Sequence, residues 1–286
     1  MFHGHLCATA MTLPSLQDLL EFFWTDYTAI TPSAAKIYGL LKDRNENYVN
    51  DHVAFRTFNI DPIGVESLGA TFLALGYEPS GEYHFEAKKL RAISYAHPDP
   101  SVPHIFISEL LVEEFSPELQ EIVRGLVAQI PAELKGQPEL LTMRPSWNPI
   151  AHADYVRLLE ESEYAGWLAA FGIRVNHFTV LINALRTFPT LESFNDWLIE
   201  SGFQMNRSGG LIKGSPEQLL EQSSTMADRV TWDFASGEQH IIPTCYHEFA
   251  RRYTDPATGE LYTGFVAKSA DRIFESTHSR VEGEGM

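Results

Sequence analysis

His52 and His177 lie 125 positions apart, and each opens the same kind of segment. The first reads DHVAFRTFNI over residues 51 to 60 and continues VESLGATFLALGY; the second reads NHFTVLINAL over 176 to 185 and continues LESFNDWLIESGF. Glu66-Ser67 pairs with Glu192-Ser193, and Gly76-Tyr77 with Gly202-Phe203, each at an offset of 126. Imidazole is the commonest metal ligand among side chains. A histidine that recurs at the head of a repeated strand and helix therefore points to two modules that bring their rings to a shared axis. A strand sets residues i, i+2 and i+4 on one face, so His52, Ala54 and Arg56 point one way, and His177, Thr179 and Leu181 do likewise. Later in the chain Tyr246, Glu248 and Ala250 share a face, with Cys245, His247 and Phe249 opposite. With the modules closed around one axis, His52, His177 and Glu248 converge. Two imidazoles and one carboxylate form the facial triad that holds non-haem Fe(II) and leaves positions open for substrate and dioxygen. Arg56, on the His52 face, offers a planar guanidinium suited to a bidentate grip on a substrate carboxylate.

Plainer readings stand beside these. A lone strand histidine is more often a hydrogen-bonded structural residue than a ligand; the duplication is what favours ligation. Glu248 alone reads as a solvated edge residue, although Cys245, Tyr246 and Phe249 favour a buried setting, where an unpaired carboxylate is costly. Arg56 reads also as a surface ion pair of little energetic consequence. Glu109 closes the last strand of the first module and is the rough counterpart of Glu248: a fourth ligand, a hydrogen-bond support for one, or an exposed residue. His84, His97 and His104 have no partner in the second module. His240 shares the parity of Glu248, but Pro243 breaks the register between them, and His247 faces away.

The elements that must position these side chains follow from pattern. Residues 15–50 read as N-terminal helices, with Ser15 capping the run Leu16, Leu19, Leu20, Phe23 and Trp24. Residues 51–112 read as a βαβββ module, its helix stopped at Gly76 and its last strand PHIFISELLV. Residues 113–173 are a helical insertion: Ser116 caps, Pro117 sits at the first helical position, and an aromatic helix runs around Tyr155 to Phe171. Residues 174–253 repeat βαβββ, with a helix capped by Thr190, a short strand at GGLIKG, an inserted helix opened by Ser215-Pro216-Glu217-Gln218, and a hairpin from RVTWDF to QHIIPTCYHEF. Residues 254–286 form a tail with a final helix. The absence of a low-complexity linker predicts a single structural unit over 1–286.

Composition narrows the partners. A formal net charge of −17 disfavours a nucleic-acid backbone. Only Cys7 and Cys245 are present, which predicts a reducing compartment. The N-terminus has no basic region followed by an apolar run, and no window approaches the 18 apolar residues of a membrane span. The expectation is a soluble, cytoplasmic protein with a small-molecule partner and neither nucleic-acid nor membrane partner.

These residues resemble a known family. Paired βαβββ modules with ligands on their first and last strands resemble the vicinal-oxygen-chelate (glyoxalase/dioxygenase-like) superfamily. More narrowly, DHVAFRTF, NHFTVLIN, the segment YHEFARRY at 246 to 253 and GFVAKSADRIFEST resemble the 2-oxoadipate dioxygenase/decarboxylase family, also called hydroxyglutarate synthase, over about residues 15 to 278 and in a compact form. The resemblance implies an α+β fold in which the modules pair into a half-barrel, with added N-terminal, inter-module and C-terminal helices. It implies Fe(II) on His52, His177 and Glu248, with Arg56 as the anchor for the distal carboxylate of a 2-oxo diacid. It implies that 2-oxoadipate and dioxygen become 2-hydroxyglutarate and carbon dioxide. The scaffold also resembles glyoxalase-type lyases and isomerases, which use a redox-inert metal and for which Glu109 as a fourth ligand would argue. A non-catalytic binding module that keeps the fold is the third reading.

Overall fold

The structure, a computed structural model, describes residues 13–235, 237–266, 272–273 and 275–277. Helix α1 (Leu16–Ile30) starts where Ser15 Oγ accepts the Asp18 N–H, and α2 (Pro32–Asp43) follows one residue after it ends. The first repeat then forms β1 (Asn50–Phe58), α3 (Val65–Ala74), β2 (Glu78–Phe85), β3 (Leu90–Ala96) and β4 (His104–Leu110). Helices α4 (Pro117–Val127), α5 (Glu139–Thr142), α6 (His152–Glu161) and α7 (Glu163–Phe171) make the insertion. The aromatic run expected as one helix is two, because Ser162 takes an extended conformation and its side chain caps α7 at Ala165.

The second repeat forms β5 (Val175–Leu181), α8 (Leu191–Glu200), β6 (Lys213–Ser215), β7 (Leu220–Ser224), β8 (Arg229–Asp233), β9 (Gln239–Pro243) and β10 (Glu248–Arg252). Two expectations are corrected here, and one buried strand is new. The capping residues at Ser215 open only a single 3-10 turn, Pro216–Gln218, and its next residue, Leu219, turns left-handed at φ 63 into β7. Strand β7, LEQSS, is too polar to be read as a buried strand, yet all five residues are buried. The β8–β9 hairpin stands apart as a two-stranded ribbon, and the ligand strand β10 begins only after Pro243, which ends β9. The helix expected within 264–277 lies largely outside the described residues, of which Glu275–Thr277 form a 3-10 turn.

Eight strands form one sheet in the order β2-β3-β4-β1-β5-β10-β7-β6. The order reads outward from a centre. β1 and β5 pair antiparallel in the middle, and each is flanked by the last strand of its own repeat, β4 or β10, in parallel. A pseudo-twofold axis between β1 and β5 follows from that order. α3 and α8 end alike, with Gly76 at φ 94 and Gly202 at φ 87, a left-handed stop that glycine adopts without steric cost.

The odd face of β1 and its equivalent on β5 are sealed by aromatic packing. Phe55 meets Phe23 of α1 and Phe72 of α3 at centroid distances of 5.1 and 5.8 Å, while Phe178 meets Trp24 and Tyr27 at 5.1 and 5.2 Å. On the second repeat Phe249 packs against Phe194 of α8 at 4.9 Å. The opposite face, carrying His52 and His177, is left for the site. His247 lies on the sealed side, as expected, between the hydroxyls of Tyr27 and Tyr48.

Burial moves the His247 pKa down to about 3. A base whose folded pKa is depressed contributes stability above its ordinary value near 6.5, and that contribution is lost as pH falls towards 3. Between those limits His247 alone should add a slope of about 1.4 kcal/mol per pH unit to the unfolding free energy. Urea denaturation from pH 7 to 4 should show this slope in the wild type and a shallower one in His247→Gln; parallel slopes would refute it.

Candidate active site

His52 and His177 come to one place through a pair of bulges. The β1–β5 pairing slips between Asn50 and His52, leaving Asp51 as the extra residue on β1; it slips again between Ala54 and Phe55, leaving Asn176 as the extra residue on β5. A bulge re-aims the side chain at its kink. Each extra residue is the one just before a histidine, and each bonds that ring. His52 Nδ1–H donates to Asp51 Oδ1 at 2.8 Å, and His177 Nδ1–H to Asn176 Oδ1 at 3.0 Å. Both imidazoles are thereby held with the Nε2 lone pair directed into the site.

Glu248, the first residue of β10, pairs in register with Thr179 and so shares the face of His177. Its Oε2 lies 3.2 Å from His177 Nε2, and its Oε1 lies 3.7 Å from His52 Nε2. One ligand atom from each of the three residues falls within 4.8 Å of the others, and all three residues are buried. Gln222 of β7 donates to Glu248 Oε1 at 2.5 Å, and Thr179 Oγ1 contacts His52 Nε2 at 3.0 Å.

The electrostatics suit a cation. Burial raises the Glu248 carboxyl, against the opposing pull of His52 and Gln222. Burial first, then the His52 and Arg56 charges, push His177 well below its ordinary range, so it stays neutral and available as a donor. A buried carboxylate beside a neutral His177 is costly on its own, and a divalent ion would compensate it. The donor set therefore fits a metal.

Behind His52 lies a buried ion pair. Arg252 Nε and Nη2 grip Asp51 Oδ2 and Oδ1 at 2.6 and 2.8 Å. Burial would raise the Asp51 carboxyl, but Arg252 and the His52 ring outweigh it and hold it well below the usual carboxylate range. The same guanidinium donates through Nη1 to the carbonyls of Tyr262 and Gly264, which brings Phe265 edge-on against His52 at 4.9 Å. Asp51→Ala should lower metal affinity roughly 10–100-fold and cost about 3–5 kcal/mol by leaving Arg252 buried and unpaired. Adding Arg252→Met should recover part of the stability and none of the affinity. Metal titration and urea denaturation of both variants separate the two effects, and a single variant with wild-type affinity would remove Asp51 from the account.

Arg56 shares the His52 face and is 2% exposed. Four residues of strand, about 13 Å, separate the two Cα positions. Its guanidinium lies over the rings of Tyr164 and Trp167 of α7, 5.0 Å from each centroid, so the surface ion-pair reading fails. Trp167 is fixed by its indole N–H to the Thr244 carbonyl at 2.6 Å, and Tyr164 by its hydroxyl to the Ser108 carbonyl at 2.7 Å. Arg56 also borders a cavity of about 680 Å³ whose rim includes Lys88, Lys89 and Tyr164. Tyr246 stacks on His177 at 4.7 Å and 25°, and closes the site on the other side.

Glu109 is elsewhere. It pairs with Thr57, of the opposite parity to His52, and its carboxylate accepts the Val65 N–H at 2.8 Å and faces Arg91 at 3.1 Å. The strand register makes Phe106, opposite Ala54, the counterpart of Glu248 opposite Thr179. The first repeat thus brings no carboxylate to the triad. His104 begins β4 beside His52 and is half-buried, His84 is exposed, and His97 packs on Tyr77; none belongs to the convergent group. Sequence reasoning missed Asp51, Asn176, Gln222 and Arg252. The first two carried a signal, an acid or amide before each repeated histidine.

The chain is similar to known proteins over most of its length. Residues 10–134 and 138–260 match the family model for 2-oxoadipate dioxygenase/decarboxylase. The chain is 36% identical over 277 residues to the rice (Oryza sativa subsp. japonica) protein called 2-oxoadipate dioxygenase/decarboxylase, chloroplastic/amyloplastic, covering 88% of this chain and 75% of that one. It superposes on the crystal structure of the Oryza sativa hydroxyglutarate synthase in complex with 2-oxoadipate with a TM-score of 0.87 and 34% identity, covering 92% of each chain. A Shewanella frigidimarina crystal structure, provisionally named a hydrolase, matches with a TM-score of 0.83 and 49% identity over 90% of this chain and 99% of that one.

Proposed function

Since the chain belongs to the 2-oxoadipate dioxygenase/decarboxylase family, we propose that it converts 2-oxoadipate and dioxygen to 2-hydroxyglutarate and carbon dioxide, with Fe(II) held by His52, His177 and Glu248. The observation that carries this reading is the convergence of those three side chains on one buried point. Iron bound there would supply Lewis-acid binding of the 2-oxo acid and the redox chemistry of dioxygen. The chain's own residues do the rest.

His52 and His177 keep their Nε2 lone pairs aimed inward because Asp51 and Asn176 occupy the Nδ1 protons. Glu248 supplies the charge, oriented by Gln222. Arg56 takes the distal carboxylate, so that a substrate with an acid group at each end spans from the triad to the guanidinium. Tyr164 and Trp167 hold that guanidinium by cation–π contact and exclude water beside it. Phe265 and Tyr246 cover the imidazoles, which keeps the reacting end dry.

A glyoxalase-type lyase is less well supported. Glu109, its natural fourth ligand, is engaged by Val65 and Arg91, and Phe106 occupies the equivalent of Glu248. Among the described residues the donor set has three members, His52, His177 and Glu248.

Stoichiometry gives the test. Carbon dioxide departs with both oxygens of the substrate's first carboxylate, so both atoms of dioxygen must remain in the product. Turnover under ¹⁸O₂ should yield 2-hydroxyglutarate with one label in the hydroxyl and one in the new carboxylate. Unlabelled product, or equal turnover under argon, would sink the reading in favour of a hydrolytic or lyase reaction.

A further inference from the structure

A second group of metal-binding side chains lies away from the triad. His152, the first residue of α6, meets Glu238 and His240 of the β8–β9 ribbon, and one ligand atom from each falls within 4.8 Å of the others. We propose that these three residues form a surface site for a divalent transition cation of the zinc type, one that fastens the ribbon to the helical insertion.

The rings stand side by side and must turn out of their stack to share an ion, because an imidazole binds a metal in the plane of its ring. His152 and His240 stack face to face at 3.4 Å and 3°. Phe234 holds both edge-on, at 4.9 Å from His152 and 5.7 Å from His240, and Tyr155 of α6 packs against Phe234 at 5.3 Å. The imidazoles thus stand on a buried aromatic shelf contributed by both elements, with His152 and His240 half-buried and Glu238 exposed. The turn is tied too: the Phe234 N–H donates to the Glu238 carbonyl at 2.9 Å, and the Ala235 N–H to Ile150, just ahead of α6, at 3.0 Å.

The distances are near those a tetrahedral ion needs. Zinc–nitrogen bonds of about 2.0–2.1 Å place two ligand atoms about 3.3 Å apart. His240 Nε2 already lies 3.4 Å from Glu238 Oε2, and the other ligand-atom separations are within 4.8 Å. Three protein ligands leave the fourth position to water. Imidazole and carboxylate together favour zinc, copper or nickel over magnesium or calcium. The formal charge of −17 on the chain also favours cation uptake.

The ribbon's place gives the site a consequence. β9 ends at Pro243, and the next residues carry Thr244, which anchors Trp167, then Tyr246 and Glu248. A cation bridging His152 and His240 braces the root of that segment, while sharing no residue with the triad.

Equilibrium dialysis of the iron-loaded chain against Zn²⁺, with metals counted by mass spectrometry, tests the site by difference. The wild type should hold one more zinc per chain than His240→Ala or His152→Ala, whatever exchange occurs at the triad. Glu238→Gln keeps the ring stack and should weaken the extra uptake roughly tenfold, equivalent to about 1.4 kcal/mol. Amide exchange over residues 229–243 should slow on adding zinc to the wild type and stay unchanged in His240→Ala. Equal zinc in the wild type and both histidine variants would overturn the proposal. An unchanged zinc affinity in Glu238→Gln would remove the carboxylate from the site.

Discussion

Glu248→Gln is expected to empty the metal site without unfolding the protein. Glu248 is the one negatively charged member of the triad, and its neutral isostere still accepts the Gln222 N–H. Iron retained through gel filtration should fall to background, and turnover of 2-oxoadipate by about 10³-fold or more, near 4 kcal/mol of transition-state stabilisation. The metal-free protein should behave in the opposite sense. Burial raises the Glu248 pKa, so its contribution to stability is present at low pH and lost as pH rises through the folded value. Above that value the charged form burdens the metal-free fold, and the amide relieves it. Metal-free Glu248→Gln should therefore be as stable as the wild type or more so in urea. A variant that keeps its iron, or one that loses activity only by unfolding, contradicts the assignment.

Arg56→Met should change which acids are turned over. A bidentate, charge-assisted grip on a carboxylate in a dry site is worth about 2–5 kcal/mol when one partner is removed. For 2-oxoadipate, kcat/KM should fall roughly 10²–10³-fold. For 2-oxohexanoate, of the same chain length but with a methyl end, it should be unchanged or improved, since the methionine offers that end an apolar wall. Arg56→Lys should rescue little, because an ammonium lacks the flat face that lies over Tyr164 and Trp167. Steady-state kinetics with the two acids read the ratio directly. Equal losses on both would make Arg56 a packing residue and withdraw its role in recognition.

Much of this site was legible in the sequence because strand parity is local and rigid. His52 and Arg56 share a face whatever else the chain does, and the offset to His177 pointed to two modules meeting at a shared axis, where β1 pairs with β5. The same parity put His247 behind the sheet, where Tyr27 and Tyr48 meet it. What was not legible depends on register and on long-range pairing. Glu109 looked like the partner of Glu248 because both read as closing a strand, yet Glu248 opens β10 and register makes Phe106 the equivalent. Strand β7 carries Gln222 to Glu248 in a stretch, LEQSS, whose polarity hides its burial. Arg252 reaches Asp51 across 201 residues, a contact that no spacing announces. The bulges at Asp51 and Asn176 lie between these cases. The repeated acid or amide before histidine was visible, but only the slipped ladder explains how it turns onto the ring.

The central claim is spatial, and diffraction reads it most directly. Crystals of protein loaded anaerobically with Fe(II), measured on both sides of the iron absorption edge, should show one strong anomalous peak at the pseudo-twofold axis. The account predicts that His52 Nε2, His177 Nε2 and a Glu248 oxygen each lie about 2.0–2.3 Å from that peak, the ligand distances of first-row divalent ions. A peak that lacks any one of the three, or iron bound only at other residues, would contradict it.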